Sequence, residues 1–89
     1  MSVYAVDKLC HRIVHEPALR DELARDPVTA LRAVRPALSN EELAALLAGD
    51  VGSLSQLGAN DFLLHQLGRF ELFGLDLPRY ADRIRNAYR

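Results

Sequence analysis

Asp7, His11 and His15 follow one another at four-residue intervals, so a helix places them on one face. Two histidines one turn apart can grip a metal ion from a single helix. The zinc-protease pattern needs a glutamate directly after the first histidine to serve as base, and Arg12 stands there instead. A cation beside the pair opposes a metal, and no cysteine or carboxylate cluster elsewhere completes a shell. The sequence therefore reads as a solvated polar face, with no metal ligands assigned. His65 is isolated on an apolar segment, where a half-buried imidazole bonded to a carbonyl is expected. Cys10, the single cysteine, falls on the apolar side of the first segment as a structural thiol.

Other reactive types lack the setting that chemistry requires. Ser39, Ser53 and Ser55 have no nucleophile-elbow context. Gly58-Ala59-Asn60 has no glycine-rich phosphate loop around it. The carboxylate pairs Asp21-Glu22 and Glu41-Glu42 sit in first helical turns, where they complement the helix dipole. Arg79, Arg83, Arg85 and Arg89 make the C-terminal end basic, but neither an aromatic stacking platform nor a helix-turn-helix glycine pattern accompanies them. No catalytic residue is assigned, and nucleic acid is not an expected partner.

The elements that position these residues all carry a helical period. Val6, Leu9, Cys10 and Ile13 share one face of a first helix. Pro17 opens a second with Leu19 and Leu23 inward, and Asp26-Pro27 starts a third carrying Leu31 and Val34. Ser39 and Glu42 form a capping box ahead of Leu43, Leu46 and Leu47. Gly49 ends that helix. Asp50 caps the next, which runs through Val51, Leu54 and Leu57 to Gly58. Asn60 or Asp61 caps an unusually apolar helix expected from Phe62 to Phe73. Its large side chains spread beyond one stripe, which calls for burial on more than one side. Gly74 is the expected stop, with Leu75 folding back on Phe70. Asp76 and Pro78 open a last helix that turns Tyr80, Ile84 and Tyr88 inward.

Sustained alternation is missing, so the fold class is all-α: a compact orthogonal bundle of about five to six short helices, one domain over residues 1–89. A chain of this size buries only about 60–65% of its unfolded surface, which makes its stability modest. The net charge of −1 gives no field toward nucleic acid or an anionic membrane. One cysteine, no basic-then-apolar N-terminus and no membrane-length apolar run point to a cytoplasmic chain with no membrane partner.

Asp26-Pro27, Leu38-Ser39-Asn40-Glu41-Glu42, Leu46-Leu47-Ala48-Gly49-Asp50-Val51, Leu57-Gly58-Ala59-Asn60 and Phe62-Leu63-Leu64 together resemble the small alpha subunit of protocatechuate 4,5-dioxygenase and its relatives among extradiol ring-opening dioxygenases. The likeness spans about Asp26 to Tyr80 and rests on caps and core positions. It implies a non-catalytic, all-helical subunit that docks on a catalytic partner, roofs its active site and helps hold a catecholic substrate. The chain itself would hold no cofactor; non-haem Fe(II) would sit on the partner. Phe62, His65, Arg69, Phe70 and Phe73 are the expected partner interface, with His65 donating to a substrate anion. The chain is shorter than the protocatechuate enzyme's alpha subunit, closer to the small subunits of aminophenol- and biphenyldiol-cleaving enzymes. The domain also resembles the recognition domain of split-borosin precursors, which implies docking or leader recognition in a peptide-modifying system. The extended apolar tail of those precursors is not seen after Arg89. A homodimer burying Phe62, Phe70 and Phe73 is a third expectation.

Overall fold

The computed structural model describes residues 4–88. Seven helices and no strand occur among them: α1 (Tyr4–His15), α2 (Pro17–Arg25), α3 (Pro27–Ala33), α4 (Asn40–Ala48), α5 (Val51–Gln56), α6 (Asp61–Arg69) and α7 (Leu77–Ala87). The seven include the short α3 and α5, each with its own cap. Asp26 accepts from the Thr29 amide at 3.3 Å, and Asp50 from the Ser53 amide at 3.1 Å. Ser39 and Glu42 form the expected reciprocal box, at 3.1 and 2.8 Å. Asn60 is the residue that caps α6, and Asp76 caps α7. Each of these caps satisfies an amide that the helix itself leaves unpaired.

Leu9, Ile13, Leu23, Leu31, Leu46, Leu54, Leu64 and Leu67 form the centre of the core, with Cys10 among them. Burial pushes the Cys10 thiol up to about 12, and the charge of Asp7 adds to the shift. The thiolate is the reactive form. A thiol-specific disulfide reagent is therefore expected to leave Cys10 untouched in the native chain and to label it at once in denaturant; rapid native labelling would contradict the packing.

α6 does not run to Phe73. It ends at Arg69, and the chain turns back on itself. The Leu72 amide donates to the Leu67 carbonyl at 2.9 Å and the Glu71 amide to the Gly68 carbonyl at 3.1 Å. Those are the two bonds of a Schellman ending, and its left-handed residue is Glu71, at φ 55°, rather than Gly74. The apolar residues that overfill a helical stripe are thereby accounted for. Leu72 and Leu75 enter the core from the turn, and Phe70 and Phe73 pack partly against it.

A non-glycine residue in this conformation is strained, and Glu71 is exposed. Glu71→Gly is expected to raise stability by about 0.5–1 kcal/mol after the greater freedom of glycine in the unfolded chain is subtracted. Thermal unfolding would show this as a midpoint increase of about 2–8 °C. A decrease would mean that Glu71 holds the turn through its side chain.

α7 closes the bundle across α5 and α6. It sits close because its neighbours carry glycine at the crossings: a Cβ on Gly52 would lie 2.7 Å from the Ala87 Cβ, and one on Gly68 3.0 Å from the Tyr80 Cβ. Arg83 ties the same helix to the end of α4 by donating to the carbonyls of Ala48 and Gly49, at 2.9 and 3.0 Å. No helix among the described residues is long and apolar enough to cross a membrane.

Candidate functional site

Phe62, His65 and Arg69 occupy positions i, i+3 and i+7 of α6, one continuous stripe on its outer side. All three are exposed, and Phe62 is 75% accessible. Leu64 and Leu67 on the opposite side anchor the helix in the core. The stripe is thus presented by a rigid element whose N-terminus is pinned twice. Asp7 accepts from the Asn60 amide at 2.9 Å, and the Tyr80 hydroxyl donates to the Asp61 carbonyl at 3.0 Å. Burial, then the charge of Asp61, raises the Tyr80 hydroxyl above its ordinary pKa, so it stays a donor.

His65 is exposed rather than half-buried, and its ring stands edge-on to Tyr80 at 5.4 Å between centres. Arg69 bonds Gln66 Oε1 at 3.2 Å and brings its guanidinium carbon 5.2 Å from the centre of the Phe70 ring. Arg20 approaches the same ring more closely, at 4.3 Å. Arg20 also donates to the carbonyls of Ile13 and Val14 at the end of α1, at 2.6 and 3.2 Å. Its part in the site has no signal in the sequence, because fifty positions separate it from Phe70 and only the packing of the α1–α2 corner against α6 joins them.

The fold therefore gathers Phe62, His65, Arg69 and Phe70, and adds Arg20. Phe73 lies elsewhere: its carbonyl oxygen would be only 2.8 Å from a Cβ on Gly49, which places it against the α4–α5 turn. Tyr88 is exposed instead of inward, yet its hydroxyl lies 2.7 Å from Ser55 Oγ, which donates to Asp61 Oδ1 at 2.6 Å.

Chemically the stripe offers the exposed Phe62 ring with the His65 imidazole one turn on and, at its far end, the half-buried Phe70 ring under the guanidiniums of Arg20 and Arg69. That combination suits contact with an acidic, partly apolar surface or with an aromatic carboxylate. Among the described residues, no three histidine, cysteine, aspartate or glutamate side chains converge to hold a metal ion. The chain matches no family model, no curated protein and no solved structure.

Proposed function

We propose that this chain is a non-catalytic helical subunit that docks through the outer stripe of α6 onto the catalytic subunit of an extradiol ring-opening dioxygenase and helps enclose its active site. The observation that carries the reading is Phe62, a large apolar side chain left 75% exposed on a well-anchored helix, on the same outer stripe as His65 and Arg69 and away from the core. Interface hot spots draw on buried aromatic and arginine side chains. The sequence resemblance supplies the identity of the partner class. Iron chemistry belongs to that partner; this chain contributes shape, water exclusion and hydrogen-bond donors from His65 and Arg69. Phe70 and Phe73 are partly buried against the chain's own core, so of the three phenylalanines that a homodimer would cover, Phe62 is the most exposed.

The test mixes the purified chain with the catalytic subunit of a two-component extradiol dioxygenase and follows Fe(II)-dependent catechol cleavage. The chain is expected to bind and to raise turnover, and Phe62→Arg to abolish both while leaving its own thermal unfolding unchanged. Cleavage indifferent to the chain overturns the reading. So does retention on a peptide-modifying enzyme in place of the dioxygenase.

A further inference from the structure

The outer face of α1 carries a second cluster that docking by α6 does not use. His11 and His15 are both exposed, one helical turn apart. Their ring centres are 4.7 Å apart, and the planes are tilted by 51°. An ion about 2.0–2.1 Å from one nitrogen of each ring would lie about 3.2 Å from each ring centre, so binding both rings side by side sets the centres about 4.5–5.2 Å apart. The observed spacing falls inside that window with the helix undistorted.

Arg12 stands between the two histidines in sequence, and its charge is the objection to a cation here. The structure answers it. Arg12 reaches along the helix to Glu16 and makes two bonds, Nε to Oε2 at 2.8 Å and Nη2 to Oε1 at 3.0 Å. A carboxylate thus matches the guanidinium, and its donors point to Glu16. One turn before His11, Asp7 adds a negative group held on the Asn60 amide. Lys8 is the other cation on the exposed side of α1 and precedes His11 by three positions.

We propose that His11 and His15 form a two-imidazole chelate for a borderline divalent transition ion, with water completing its shell. Neutral imidazole is a good ligand for copper, nickel and zinc, and copper(II) binds tightest in the divalent series. A chelate spanning one turn of α1 would also lock that turn, so the ion would act as a staple on the first helix.

The probe is copper(II) titrated into the full chain near neutral pH, read by calorimetry and by paramagnetic broadening of NMR signals. One ion per chain is expected, with broadening centred on the His11 and His15 rings. His11→Ala and His15→Ala should each weaken binding about ten-fold or more, because each removes the second, intramolecular contact. His65→Ala should leave the affinity unchanged. Copper should raise the unfolding midpoint of the wild-type chain but not of the double variant His11→Ala/His15→Ala. Both rings are exposed, so the variants are expected to fold, and their metal-free unfolding checks this. Broadening centred on the chain's amino terminus or on His65 overturns the proposal, as does wild-type affinity in both single variants.

Discussion

Gly52→Val is expected to unseat α7 and to lower stability by about 2–3 kcal/mol. The first added carbon would meet the Ala87 Cβ at 2.7 Å and the Arg83 carbonyl oxygen at 2.9 Å. The second of these is backbone and cannot swing aside, so α5 and α7 must separate. Separation also strains the ties that depend on the crossing: Gln56 Nε2 to the Ala87 carbonyl at 2.6 Å, Ser55 to Tyr88 at 2.7 Å, and Arg83 to the end of α4. Valine has better helix propensity than glycine, so the intrinsic preference runs against the expected loss and makes crowding its cause. A calorimetric midpoint lowered by roughly 10–20 °C is expected. A variant as stable as the wild type would show that α7 does not sit where the structure has it.

Leu67→Ala should remove about 3–5 kcal/mol, near the top of the range for buried leucines. Leu67 is 0% exposed, on the helix that contacts α1, α5 and α7, so few neighbours can move to fill the space. For a domain whose whole stability is about 5–15 kcal/mol, that loss approaches unfolding. Phe62→Ala, five residues earlier on the same helix, is expected to change stability by no more than about 0.5 kcal/mol, since the ring is already in water. Chemical denaturation of the two variants separates the core of α6 from its outer stripe. Equal losses would mean that Phe62 is a core residue and would remove the ground for docking through it.

The caps were legible because capping is local. Ser39 with Glu42, Asp26, Asp50, Asn60 and Asp76 each satisfy an amide within three positions, and neighbours in sequence suffice to recognise them. The core faces of α1 and α2 followed from period for the same reason. The end of α6 was not legible. Gly74 is the residue that intrinsic preference nominates for a left-handed stop, yet Glu71 and Phe73 take positive φ before it. Burying Leu72 and Leu75 against the core outweighs a local strain of about 1–2 kcal/mol per residue.

The candidate site divides along the same line. Phe62, His65 and Arg69 form a stripe that helical spacing alone defines, and Phe70 follows them in the chain. Whether each faces water or protein was beyond that spacing, because exposure depends on which helices arrive from elsewhere. Tertiary packing left Phe62 in solvent, brought Arg20 over Phe70 and moved Phe73 to the α4–α5 turn. Arg12 pairs with Glu16 four residues on, a contact local to the end of α1, which leaves His11 and His15 beside a matched ion pair. By itself, then, the sequence determined that the chain is a bundle of short helices and where nearly all of them begin, since those choices rest on contacts within one or two turns. Only the tertiary structure decided which side chains remain outside, since burial is a property of the whole assembly of helices.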